Sequence, residues 1–241
     1  MRKYNSAPHP FIIEPPPEKK RGYTPKDKII FGLTLIGNAI DYLPYFVYAF
    51  DELGKMGIGK GRGRYSLEKV KNKNRIIYDS KSKTLKTFKR DTLSFNSTNK
   101  NRETLDSELI TFNFSTPTRI IYNGQLTFDL EFHILIRNLL RRLSLLSYFH
   151  CDCDVSDWDF NGIIEEAKKV TVKESSLRWY DWERYSARQD TKMKMGGFVG
   201  EISFEGDVGP FMPIIKAGEV LHVGKGTGFG LGKFEVTPKI I

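Results

Sequence analysis

Two glycine-rich segments place cations where a phosphodiester backbone would need them. Gly57-Ile58-Gly59-Lys60-Gly61-Arg62-Gly63-Arg64 is the first. Gly224-Lys225-Gly226-Thr227-Gly228-Phe229-Gly230-Leu231-Gly232 is the second, with Lys233 directly after it. Neither is a nucleotide-binding P-loop, because the lysine is not followed by Ser or Thr and each segment leads into a strand instead of opening a helix. The dinucleotide fingerprint fails on the same grounds. Alternating glycines leave main-chain N–H groups uncovered, so a phosphate can come close while Lys60, Arg62, Arg64, Lys225 and Lys233 supply charge. The same glycines also suit a tight helix-to-strand bend with positive φ, and the residues leave both readings open.

Four histidines are candidates for proton transfer. His222 stands beside Lys225 and the second glycine loop, either as a general acid or base at a scissile phosphate or as a packed loop residue. His9 lies between prolines and reads as part of a rigid turn, and His133 falls on a helix as a structural residue. His150 with Cys151 and Cys153 hints at metal ligation, but Cys-x-Cys without a second ligand pair is not a metal site, and neither metal nor cofactor is expected. Between Leu177 and Arg188, strand alternation puts Arg178, Tyr180, Trp182, Arg184 and Arg188 on one face. That face is either a platform on which unpaired bases stack or, if Tyr180 and Trp182 turn inward, part of the core. Arg137, Arg141 and Arg142, on a long helix, clamp phosphates or complement the C-terminus of that helix.

These residues must be positioned by an α+β chain. Of 241 residues, 39% are hydrophobic and 28% charged, ordinary for a globular protein with room for two small domains. No apolar run reaches membrane-spanning length, no signal peptide is visible, and two cysteines build no disulfide framework, so a cytoplasmic protein is expected. The net charge of +9 is concentrated: Lys69 to Arg102 holds eleven Lys/Arg against Asp79 and Asp91. Such a block suits a polyanion, or else a solvated connector. Periodicity predicts an extended N-terminal arm, a strand over 28–36, a helix over 41–55 and a strand over 64–70. Further on it predicts strands over 108–114 and 119–122, and a long helix over 127–149 capped by Thr127. A short helix over 160–168, strands over 170–188 and 192–204, a helix over 209–221 and a strand over 232–237 complete the chain. Strand, helix, strand, strand, helix, strand is the ferredoxin-like pattern. A shift of 169 residues superposes Gly57, Gly59, Gly61 and Gly63 on Gly226, Gly228, Gly230 and Gly232, with Gly37 on Gly206 and Pro44 on Pro213. The expected architecture is therefore two tandem ferredoxin-like βαββαβ domains, residues 1–104 and 105–241, the first incomplete at its N-terminus.

The run His222 to Phe234 resembles the C-terminal glycine-rich loop of the CRISPR-associated endoribonucleases of the RAMP superfamily that process precursor guide RNA. Pro8-His9-Pro10-Phe11-Ile12-Ile13-Glu14-Pro15-Pro16 and Leu35-Ile36-Gly37-Asn38-Ala39-Ile40-Asp41-Tyr42-Leu43-Pro44 are similar to segments of one subgroup of that family. The resemblance implies binding of CRISPR repeat RNA, contacts with other CRISPR-associated subunits, and metal-independent cleavage in which a ribose 2′-hydroxyl attacks the adjacent phosphate. The alternative it implies is a non-catalytic crRNA-binding subunit. Family members carry about a further half-domain upstream of the Pro-His-Pro segment, where the catalytic histidine often lies, so weak cleavage is expected here. If five phosphates are neutralised, log affinity for RNA should fall against log salt with a slope of about −3.5, at ~0.7 per contact. A salt titration of RNA binding measures it.

Overall fold

The computed structural model describes residues 7–16, 22–59, 61–91, 109–186 and 191–239. The N-terminal arm contains a strand. β1 (Phe11–Glu14) pairs antiparallel with β2 (Gly32–Leu35), Phe11 opposite Leu35 and Glu14 opposite Gly32. Prolines 8, 10, 15 and 16 bracket β1 without interrupting its ladder, which is where a strand tolerates them. Ile12 is fully buried, and the Ile36 N–H donates to the Pro10 carbonyl at 2.9 Å.

A 3₁₀ turn over Gly37–Tyr42 leads into α1 (Leu43–Met56). Pro44 falls in its first turn, where a missing N–H is harmless. Gly57, with φ 83°, ends the helix and donates to the Leu53 carbonyl. The strand expected over 64–70 begins only at Lys69. β3 (Lys69–Asn72), β4 (Arg75–Asp79) and β5 (Thr84–Leu85) then form an antiparallel meander. Leu43, Val47, Leu67 and Ile77 supply its small core.

The remaining elements are β6 (Leu109–Thr118), β7 (Ile120–Tyr122), β8 (Gln125–Thr127), α2 (Phe132–His150), α3 (Phe160–Ala167), β9 (Thr171–Ser175), β10 (Arg178–Tyr180), β11 (Glu183–Ser186), β12 (Thr191–Lys194), β13 (Gly197–Glu205), α4 (Met212–Leu221) and β14 (Phe234–Lys239). The main sheet runs β10-β13-β6-β14, with β9 also on β13, and every pairing is antiparallel. With α2 and α4 as the crossovers, this is the expected ferredoxin-like order. Phe112, Phe114, Phe198, Phe204 and Phe234 project from the sheet as one buried aromatic cluster. The face of α2 formed by Leu135, Leu139, Leu143 and Leu146 is buried against that core. Gly218 lets α4 settle there, because a Cβ would crowd Leu139 and Phe234.

Thr127 is not a helix cap. It closes the β7–β8 hairpin, whose turn is Asn123-Gly124, both at positive φ (49° and 79°), the pairing that a two-residue hairpin favours. The helix starts only after Glu131, so Asp129 and Glu131 precede it. The strand expected over 170–188 is broken into β9, β10 and β11, and Gly200, at φ 115°, lies at a bulge in the facing strand.

The structure divides into two compact units: residues 1–17, 30–37 and 94–241, and residues 18–29 and 38–93. The boundary expected at 104/105 lies outside the described residues. At the 169-residue offset the two glycine loops differ in conformation. Gly226, Gly230 and Gly232 have φ of 81°, 78° and 74°, whereas among their counterparts only Gly57 is positive. The first loop is a closed turn bridged by Ile58 and Gly63, and the second wraps a 3₁₀ turn at Thr227–Phe229. Gly232→Ala should lower stability by roughly 2–4 kcal/mol, since it combines positive φ with overlap of the Val223 carbonyl oxygen. Gly228→Ala, with the nearest atom at 3.7 Å, should leave the melting temperature nearly unchanged. Thermal denaturation of the two variants checks both.

Candidate nucleic-acid interface

The second glycine loop is anchored from three sides within its unit. Lys225 N–H donates to the Arg119 carbonyl (2.9 Å), Gly232 N–H to Pro117 (3.1 Å) and Val223 N–H to Gly232 (3.0 Å). Thr116 Oγ1 donates to the Gly230 carbonyl and accepts from Lys233 N–H. β1 lies along the other side. A Cβ on Gly230 would stand 2.8 Å from the Ile13 carbonyl oxygen, and one on Gly224 would overlap the Arg119 carbonyl. Gly224, Gly226, Gly230 and Gly232 therefore serve the bend and close packing, and at the loop's crown the N–H groups of Phe229 and Gly230 already donate to Gly226 and Thr227, at 2.9 Å each.

That crown carries the accessible chemistry. Lys225 is exposed and Phe229 is 47% exposed. His9, also exposed, places its Cδ2 3.9 Å from where a Cβ on Gly228 would stand. β1 thus brings an imidazole to the glycine loop from more than 200 residues away in sequence. Proline flanking reveals a rigid turn at His9, but nothing local shows what that turn faces.

His222 is not on the crown. It is 0% exposed, so it cannot meet an RNA phosphate where it stands. As C-cap of α4 it has φ 59° and ψ 173°, a conformation close to that of Gly57 at the end of α1 and one that non-glycine residues rarely adopt. Its Nδ1–H donates to the Leu231 carbonyl at 3.2 Å, and Nε2 faces Glu14 Oε1 at 3.3 Å without a hydrogen bond. Burial lowers the imidazole pKa more than Glu14 raises it, which favours the neutral ring. Lys233 Nζ meets Glu14 Oε2 at 2.6 Å. Burial acts to raise the Glu14 pKa, but the hydrogen bond and charge of Lys233, with His222, hold it below the usual carboxylate value. The cation expected to contact RNA at Lys233 is thus engaged by Glu14.

On the other candidates the structure is mixed. Arg178, Trp179 and Tyr180 are all exposed, while Trp182 is half-buried where the strand is interrupted, so a continuous alternating face does not form. Trp179 Nε1 donates to Asp181. Arg184 lies in β11, and Lys60 and Arg188 lie outside the described residues. In the smaller unit Arg62 and Arg64 are exposed, and Gly59 and Gly61 have no atom within 4 Å of a would-be Cβ, whereas a Cβ on Gly57 would overlap the Arg62 carbonyl. Gly63 answers Ile58 across the turn. Arg142 is buried with Nε donating to the Leu221 carbonyl at 2.6 Å, at the end of α4, so it neither faces a phosphate nor complements the end of its own helix. Arg137 lies over the Tyr122 ring. His150 Nε2 donates to the Pro8 carbonyl at 2.8 Å, and among the described residues no three His, Cys, Asp or Glu side chains converge as metal ligands. No helix among them is long and apolar enough to cross a membrane.

Residues 112–234, the strands and helices that carry this loop, match the family model of the CRISPR-associated endoribonuclease Cas6. The chain belongs to the Cas6 family. Residues 1–90 match a second model described as an N-terminal domain. Among solved structures, a Cas6 product complex aligns with 95% of this chain and 82% of its own at 18% identity, with a TM-score of 0.57, and so shares the Cas6 fold. Thermus thermophilus Cas6 aligns with 54% of this chain and 53% of its own at 18% identity and a TM-score of 0.42. No curated protein sequence matches significantly.

The Glu14–His222 pair gives stability a pH dependence with a fixed sign. His222 is held neutral in the fold, so the unfolded chain takes up its proton first as pH falls through about 6.5, and unfolding is favoured. Glu14, with a depressed folded value, adds a loss in the same direction lower down, as pH falls below about 4.5. The melting temperature should therefore drop from pH 7.5 to 5.5, and His222→Asn should flatten that part of the profile.

Proposed function

We propose that this chain binds CRISPR repeat RNA and cleaves it without a metal ion, at a site on the crown of the second glycine loop. The observation that carries the reading is that β1 brings exposed His9 against Gly228, on a loop that also exposes Lys225 and Phe229, in a chain of the Cas6 family. A strand of RNA laid across Gly228 meets no Cβ, so its backbone can lie against the loop while the Phe229 ring offers a surface for a base.

The chemistry requires a proton acceptor at a ribose 2′-hydroxyl and charge stabilisation at the adjacent phosphate. The His9 imidazole takes the 2′-hydroxyl proton, the freed oxygen forms a bond to phosphorus, and the 5′-oxygen of the next nucleotide leaves and is protonated from solvent. The products are a 2′,3′-cyclic phosphate and a 5′-hydroxyl end. Lys225, free to rotate above the loop, neutralises the non-bridging oxygens as charge builds on them. His222, buried below, acts through the loop it caps and does not touch RNA.

His9→Ala should slow cleavage of labelled repeat RNA in EDTA by ~10²- to 10³-fold. It should leave the dissociation constant within about twofold, since it removes a group used only in the transition state. Lys225→Ala should weaken both binding and cleavage. Full-rate cleavage by His9→Ala would move the general base elsewhere, and absence of cleavage by the wild-type chain would leave it as a crRNA-binding subunit.

A further inference from the structure

The smaller unit carries two adjoining depressions that the glycine-loop site does not use. The first is a groove of about 860 Å³ between the β3–β4 turn and the segment returning after β5. Lys73, Arg75, Lys86 and Lys89 line it together with Asn74 and Phe88. The groove is built rather than incidental. Lys86 N–H donates to the Ile77 carbonyl at 2.7 Å and Asn72 Nδ2 to the Lys89 carbonyl at 3.4 Å, fixing the returning segment alongside β4. Its one carboxylate, Asp91, is paired with Lys73 at 3.1 Å. Arg75, Lys86 and Lys89 are exposed and have no carboxylate partner among the described residues.

The second depression, of about 360 Å³, lies between α1 and β4, where Tyr48, Tyr78 and Lys83 meet. Tyr48 belongs to a row. Tyr42, Tyr45 and Tyr48 recur every third residue at the start of α1 and are 58%, 69% and 66% exposed, with the first two rings 5.9 Å apart. Three phenol rings held outward at the start of α1, each more than half exposed among the described residues, present flat faces that a core has no use for. β4 joins the two features, since Arg75 and Ile76 line the groove and Tyr78 lines the cleft.

We propose that this unit is a second nucleic-acid site, which holds single-stranded RNA with phosphates along Arg75, Lys86 and Lys89 and unpaired bases on Tyr45 and Tyr48. Charge complementarity selects a polyanion, and the tyrosine row selects unpaired bases, because paired bases keep their faces inside the stack. A protein partner would need the cations opposed by carboxylates and would gain nothing from their alignment along a groove. The proposal deepens the RNA-processing reading: the repeat is cut at the glycine loop, and this site takes unpaired RNA beyond the segment being cut.

The full chain is tested with a ten-nucleotide oligouridine that lacks the repeat sequence, read by fluorescence anisotropy across a salt series. Arg75→Gln/Lys86→Gln/Lys89→Gln should weaken binding at least tenfold and reduce the salt slope by about 2, at ~0.7 per lost phosphate contact. Tyr45→Ala/Tyr48→Ala should weaken it about tenfold with the salt slope retained. All five side chains are exposed, and circular dichroism melts verify that the variants fold. Oligouridine binding that is absent, or unchanged in both variants, overturns the site, and if repeat RNA is still cleaved, the glycine-loop reading survives alone. Oligouridine binding lost in the variants while the wild-type chain never cleaves repeat RNA supports this site and sinks the cleavage reading.

Discussion

Glu14 ties β1 to the far end of the glycine loop, a link that no local element could supply. Its carboxylate receives Lys233, just past the glycine loop, on one oxygen and faces His222, just before that loop, with the other. β1 is thereby drawn across the mouth of the loop, and its neighbours Ile13 and Pro15 fill the space that Gly230 leaves. The accessible part of the site depends on this contact together with the β1–β2 ladder. His9 reaches Gly228 because β1 is in register, and the loop keeps its shape because Thr116, Pro117 and Arg119 fasten the opposite side. A partly buried ion pair of this kind adds little net stability by itself, since desolvation offsets much of the attraction. Its contribution is to specify one arrangement of the arm among many.

Much of the larger unit was legible from periodicity. The leucine face of α2, the short α3, the extent of α4 and the final strand all appear where 3.6- and 2-residue patterns place them, because each packs a single continuous face against one core. The failures have specific causes. Thr127 looked like a helix cap, yet Asn123-Gly124 is a stronger signal that forces a hairpin first, and the cap position passes to Glu131. β1 was hidden by its prolines, which read as an open arm unless a partner strand twenty residues away is considered.

The site itself was legible only in part. Glycine spacing located the loop correctly but did not separate the glycines that serve packing from the one that leaves space. Only at Gly228 would a side chain meet ordinary contacts, and that difference rests on where the Arg119, Ile13 and Val223 carbonyls lie, which are tertiary facts. His222 was attractive because of its neighbours in sequence, and the fold turns it inward at a backbone angle more usual for glycine. His9, set aside as a turn residue, is the histidine that the fold brings to the crown. The matched glycines of the two loops reflect similar demands for tight bends more than a shared conformation.

The larger unit is discontinuous along the chain, taking residues 1–17 and 30–37 from the start and 94–241 from the end. Its first strand and the loop it closes therefore lie more than 200 residues apart in the chain. β2 can pair with β1 early, but the Glu14 carboxylate gains Lys233 only after loop closure over more than 200 residues. Completion of this unit is thus limited by a long-range contact, and until that contact forms the side of β1 that meets the glycine loop stays open to chaperones and proteases.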